Sequence, residues 1–128
     1  MKSRLHKEAL INVISQLKEY KEVDSIYLFG SCARNQEKFN SDVDLIVFLN
    51  IPHEQQYFTL YRQLISIVPT NISLPETDIH VYFNNTNINE FPNMTFFEKM
   101  IYKELIPICV NRQNSEFYDN IIKEIRND

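Results

Sequence analysis

"LFGSCARNQEKFNSDVDLIVF", residues 28–48, holds the only glycine of the 128-residue chain, Gly30, and two aspartates one residue apart, Asp42 and Asp44. The apolar, β-branched run around the aspartates reads as a strand. In a strand, residues i and i+2 point to one face, about 6.6 Å apart. Asp42 and Asp44 therefore face the same way, and Val43, Leu45 and Val47 face the other, toward helices. Two adjacent carboxylates repel, and without a cation one of them tends to keep its proton. A divalent ion removes that penalty, because Mg²⁺ takes hard oxygen ligands at about 2.0–2.1 Å and is commonly shared between carboxylates and a phosphate substrate. A second ion about 3.5–4 Å away would complete a two-metal clamp on phosphorus. The third carboxylate of such a clamp would come from a neighbouring strand, and Asp78 is the candidate.

The glycine stands where an earlier strand, "DSIYLFGS", breaks. Glycine permits positive φ and close approach of backbone to a ligand. Ser31 then reads as the N-cap of a helical turn, whose free N–H groups suit phosphate oxygens. Arg34 adds charge three residues on.

Further along the chain, Leu5, Ala9, Leu10, Val13, Ile14 and Leu17 recur with helical period, predicting an amphipathic helix over 3–20. Tyr57, Phe58, Tyr61, Leu64, Ile65 and Val68 predict a second over 53–68, with Pro52 in its first turn. Tyr57, Phe58 and Tyr61 are read as core. "TDIHVYF" is a third strand, with Ile79, Val81 and Phe83 on one face and Asp78, His80 and Tyr82 on the other. His80, two residues after Asp78 on the same face, reads first as a partly exposed sheet histidine, with orienting Asp78 or touching a phosphate as the functional alternative. Asn84 to Asn93 is a connection. Phe96, Phe97, Met100, Ile101 and Leu105 mark a third helix, "IPICV" a fourth short strand, and Phe117 to Ile125 a last helix. His6 and His53, at polar element ends, receive no role. The fold class is α/β (α+β): a small mixed sheet of three to four strands with helices packed on it, in one domain spanning 1–128.

Composition supports a folded domain of this size: 44% of residues are hydrophobic and 12% aromatic, enough for a core without disulfide or metal staples. Cys32 and Cys109 share no metal-type spacing, as expected of reduced thiols in a cytoplasmic protein. No run is long enough to span a bilayer, and the polar start is not a signal peptide. A net charge of −4 argues against binding long nucleic acid, which needs a basic face. The aromatic content leaves a homodimer open.

Taken as one spacing, Gly30, Ser31, Ala33, Arg34, Ser41, Asp42, Asp44 and Leu45 match G-S-x-A-R-x(6)-S-D-x-D-L. This resembles the signature of the DNA polymerase beta-like nucleotidyltransferases, and the short chain resembles their minimal branch, often found as antitoxins beside HEPN-type toxins. The resemblance implies the nucleotidyltransferase fold. It implies that Gly30, Ser31, Arg34 and Ser41 bind the nucleotide, and that Asp42, Asp44 and Asp78 bind two Mg²⁺ ions and carry catalysis. It implies transfer of a nucleoside monophosphate, AMP from ATP, to a hydroxyl with release of pyrophosphate. The hydroxyl is either a tyrosine of a HEPN-type toxin partner or a small molecule, as in the aminoglycoside-modifying relatives. A catalytically lapsed module that neutralises a partner by contact is the alternative. The sequence departs from the family pattern at Cys32, where arginine is usual, and at Asn35, where glycine is usual. Asparagine tolerates left-handed backbone, so the turn survives. Cys32 is not needed as a nucleophile, since this chemistry uses none.

Overall fold

The computed structural model describes residues 1–82 and 103–127. Helix α1 (Arg4–Lys18) is followed by strand β1 (Val23–Phe29), a single-turn helix α2 (Gly30–Ala33) and strand β2 (Val43–Leu49). Helix α3 (Gln55–Ile65) leads to strand β3 (Thr77–Tyr82); β4 (Ile106–Val110), β5 (Gln113–Asn114) and helix α4 (Glu116–Arg126) close the described chain. The expected helix through Phe96, Phe97, Met100 and Ile101, the connection from Asn84 to Asn93, and Phe83 lie outside the described residues. Leu105 directly precedes β4. No helix among the described residues is long and apolar enough to cross a membrane.

Among the described residues the sheet has five strands in the order β3-β2-β1-β4-β5. Of these, only β2 and β3 pair in parallel, as a crossover through α3 requires. The two-residue strand β5 is too short for a pattern to announce it, so the sheet exceeds the expected three to four strands by one.

The period-2 pattern sorts the strand side chains onto two faces. On one, Ile26, Leu28, Val43, Leu45, Val47, Ile79 and Val81 join the apolar stripes of α1, α3 and α4 in the main core. On the other, Tyr27, Phe29, Ile46 and Phe48 form a second, aromatic cluster with Tyr82 and Leu105. Tyr27 and Phe48 meet edge-on, with ring centroids 5.8 Å apart, a favoured aromatic geometry.

Both ends of α1 are tied to distant loops. Ser3 is its N-cap, accepting the His6 N–H. At its other end Arg112, in left-handed backbone at φ 65°, donates from its guanidinium to the carbonyls of Lys18, Tyr20, Lys21 and Val23. That side chain satisfies carbonyls which a helix end otherwise leaves open.

Two helix expectations need correction. Pro52 lies before α3 rather than in its first turn, since Glu54 is the N-cap. Phe58 is 69% exposed and Tyr61 is also exposed, so only Tyr57 of that trio packs against the core. At helical spacing the sheet can cover one side of α3, and these two residues sit beyond that arc.

Candidate active site

Strand register builds the site. Phe29 of β1 pairs with Asp44 of β2, and Asp44 pairs with Asp78 of β3. The row Phe29–Asp44–Asp78 crosses three strands at one end of the sheet, and Gly30 follows directly from it. Alternation puts Asp44 and Asp78 on the face that carries Tyr27, Ile46, Phe48 and His80. Asp42 precedes β2, outside the ladder.

Gly30 has φ +75°, where a side chain is strained. A Cβ there would lie 2.3 Å from Asp44 Oδ2. The glycine thus does two things: it turns the chain from β1 into α2, and it leaves room for a carboxylate against the backbone. Ser31 is the second residue of α2 rather than its N-cap. The cap position falls on Phe29, with no side-chain hydrogen bond. The expected capping role of Ser31 is therefore wrong, because the helical turn starts one residue earlier, on the glycine itself. Asn35 takes φ +59° just beyond the C-cap of α2, the left-handed position that glycine commonly fills.

The carboxylates influence one another. Asp44 is half-buried, and its pKa is pushed up to about 6, first by burial and then by the charges of Asp78 and Asp42; His80 and Arg34 pull the other way. This is the signature of an anionic cluster short of countercharge. Asp78 is paired with His80, whose Nε2 lies 3.2 Å from Asp78 Oδ2. The imidazole also rests edge-on against Phe29, at 5.4 Å.

Arg34 reaches Glu104 at 2.7 Å and donates from Nε to Gln36 at 3.2 Å. Ser41 Oγ accepts the Lys38 N–H at 2.9 Å and closes the loop before Asp42. Cys32 is wholly enclosed. Its thiol is pushed up to about 12 by burial, then by Glu37 and Asp44, which rules out a thiolate nucleophile at neutral pH. The departure at Cys32 thus alters the packing beneath the turn, not a charge presented at the surface.

Two hollows flank the row. One, about 230 Å³, lies beside Asp42 and is lined by Leu5, Phe39, Leu74 and Glu76 among others. The other, about 540 Å³, lies beside Asp78 and His80 under Tyr57 and Tyr61.

The donor set suits a hard divalent cation: oxygen-only carboxylates, mutually repelling, beside backbone cleared of side chain. Among the described residues no three His, Cys, Asp or Glu side chains are grouped closely enough to hold a metal ion by themselves, so Asp42, Asp44 and Asp78 do not form a ready-made three-carboxylate site. An arrangement in which the nucleotide's own phosphates supply the remaining ligands needs no such site.

Sequence reasoning missed two members of this region. His6 is buried, with both ring nitrogens engaged. Its spacing to Leu10, Val13 and Leu17 placed it on the buried stripe of α1, which was the available signal. Glu104, the partner of Arg34, carries no local signal, because only the fold brings residues seventy apart together.

The mixed sheet, with carboxylates at the end of one face beside a glycine-serine turn, agrees with what the sequence resemblance implies. Residues 12–103 match the family model "Polymerase beta, Nucleotidyltransferase", and the chain belongs to that family. It is 38% identical over 69 residues to a "Putative protein adenylyltransferase" of Methanocaldococcus jannaschii, a stretch covering 53% of this chain and 80% of that one. Among solved structures it is similar to a "putative nucleotidyltransferase" of Sulfolobus solfataricus, with a TM-score of 0.46 and 19% identity over 86% of this chain and 81% of that one. It is also similar to a chain of a toxin-antitoxin structure with AMP-PNP, with a TM-score of 0.44 and 14% identity over 94% of this chain and 87% of that one.

Proposed function

We propose that the protein transfers AMP from ATP to a hydroxyl group of another protein. The observation that carries this reading is the contact between Gly30 and Asp44. A side chain on residue 30 would collide with the Asp44 carboxylate, so the turn accommodates that group only because it carries glycine. In a turn without a ligand to bind, a neutral residue in place of Asp44 would remove the repulsion at no structural cost.

In this reading Asp42, Asp44 and Asp78 hold divalent ions, which supply charge neutralisation at the reacting phosphate. The backbone of Gly30 and Ser31, with the Ser31 hydroxyl, receives the outer phosphates. Arg34 exchanges Glu104 for a phosphate oxygen, a substitution of one anion for another that suits a guanidinium. The acceptor hydroxyl oxygen forms a bond to the α-phosphorus. The bond from that phosphorus to the bridging oxygen breaks, and pyrophosphate leaves with the electron pair. The hydroxyl proton passes to Asp78, which His80 orients. Catalysis here is mainly positioning and electrostatic stabilisation. A protein acceptor is supported by the likeness to the archaeal putative protein adenylyltransferase. A HEPN-type toxin as that protein is the narrower form of the proposal.

The test is incubation with α-labelled ATP, Mg²⁺ and the product of the neighbouring gene. Label should appear on the acceptor, and Asp42→Asn should reduce its rate at least a hundredfold. Neutralisation of a toxin without any label transfer, unaffected by Asp42→Asn, would replace this reading with a binding module.

A further inference from the structure

Asp44 and Asp42 are held in different ways. Asp44 sits inside the ladder, with strand partners on both sides. Asp42 lies before the first residue of β2 and is exposed, so no ladder fixes the direction of its side chain. The backbone that carries it is held on both sides. The Ser41 N–H donates to Lys38 O at 3.0 Å. The Ser41 carbonyl accepts from His6 Nε2 at 2.7 Å. One residue on, Cys32 Sγ lies 3.6 Å from the Asp42 carbonyl, and the Val43 N–H donates to Glu76 O at 2.9 Å.

The His6 contact anchors the Ser41–Asp42 peptide from outside the loop. Because its acceptor is a carbonyl, Nε2 must carry the proton. In the neutral ring Nδ1 then accepts the Ser3 hydroxyl proton, at 2.7 Å. The ring is 1% exposed. The start of α1 is itself tied to the same loop, since Glu37 Oε2 accepts the N–H groups of Lys2 and Ser3 at 2.8 and 3.0 Å. Helix α1 and the 37–41 loop therefore grip each other twice, through Glu37 in one direction and His6 in the other.

We propose that His6 is a positioning residue that aims the Asp42 carboxylate by fixing the Ser41–Asp42 peptide. The inference rests on the metal-binding reading of Asp42 above. The probe is Mn²⁺, titrated calorimetrically into the full chain and its variants well below their unfolding temperatures. His6→Gln can keep the bond to Ser41, because its amide nitrogen reaches where Nε2 lies. His6→Asn cannot, although it is equally polar and can still meet Ser3. His6→Asn should weaken Mn²⁺ binding about fivefold, the worth of one hydrogen bond. His6→Gln should stay within about twofold of the wild type. Ser3→Ala, which leaves the ring but removes the hydroxyl that orients it, should weaken binding about twofold and gives the same test should His6→Asn not fold. Wild-type binding with equal affinities in all three variants overturns the positioning role and leaves the proposed function standing. No Mn²⁺ uptake by the wild type at millimolar concentration, with ATP present as well as without it, overturns both.

Discussion

Replacing Asp44 with asparagine should stabilise the metal-free protein while abolishing its response to metal. An aspartate near ~3.9 in the unfolded chain that titrates at about 6 in the fold corresponds to ~3 kcal/mol at 1.36 kcal/mol per pH unit. Asp44 is only half enclosed, so solvent screening brings the figure to ~1 kcal/mol. The folded value is the higher one, so the folded chain binds this proton more tightly. The stability it contributes is complete below the unfolded value and is lost as pH rises through about 6. At pH 7.5 the wild type carries the full penalty, and an uncharged amide of the same shape does not. For a domain of this length ~1 kcal/mol moves the unfolding temperature by about 3–6 °C. Scanning calorimetry in EDTA at pH 7.5 should therefore place Asp44→Asn about that far above the wild type. At pH 3, below the unfolded value, the two should nearly coincide. Millimolar Mg²⁺ or Mn²⁺ at pH 7.5 should raise the wild type and leave the variant where it was. An unfolding temperature at or below the wild type in EDTA would refute the electrostatic account. So would a gap that persists undiminished at pH 3.

Two more substitutions probe the frame around that carboxylate. Gly30→Ala adds a Cβ in left-handed backbone, 2.3 Å from Asp44 Oδ2; we expect ~1–2 kcal/mol of destabilisation and at least a tenfold loss of label transfer at temperatures where the variant is fully folded, and transfer within twofold of wild type would show that the close approach is incidental. Arg112→Met removes a guanidinium that serves four carbonyls at the end of α1; urea unfolding should show a loss of ~2–3 kcal/mol with the midpoint moved and the slope unchanged, whereas a loss under ~0.5 kcal/mol would mean water serves those carbonyls equally well.

Much of this architecture is legible in the sequence, because it rests on periodicity. The buried stripe of α1 and the alternation in β2 and β3 each follow from where apolar residues recur. The left-handed turn at Asn35 follows from a residue type that tolerates it. What could not be read was set by pairing between distant segments. Asp78 could be named from its strand face as the candidate third carboxylate, but that it stands level with Asp44 depends on β3 joining β2 in parallel. The capping role assigned to Ser31 failed because the glycine initiates α2 itself. His6 was misread because polarity near a helix start suggests exposure, while its spacing to Leu10 and Val13 said otherwise. Phe58 and Tyr61 were misread in the opposite sense. An aromatic at helical spacing is core only if the sheet extends far enough to cover it, and β3 does not.

The distribution of unfavourable features also bears on function. Over most of the fold local preference and global structure agree: α1 and α4 begin on serine caps, and the apolar stripes face the sheet. Between residues 30 and 44 two carboxylates depart from that agreement. Asp44 is half-buried beside other carboxylates, which raises its pKa, and one buried carboxylate oxygen of Glu37 has no hydrogen-bond partner among the described residues. Each costs free energy that an uncharged side chain would not. The surrounding structure instead holds them in place, through the Glu37 and His6 grips on α1 and through the strand partners of Asp44. Local conflict retained under such reinforcement is what a preorganised binding site requires. A turn kept only for connection would have no reason to place a half-buried carboxylate against the chain's one glycine.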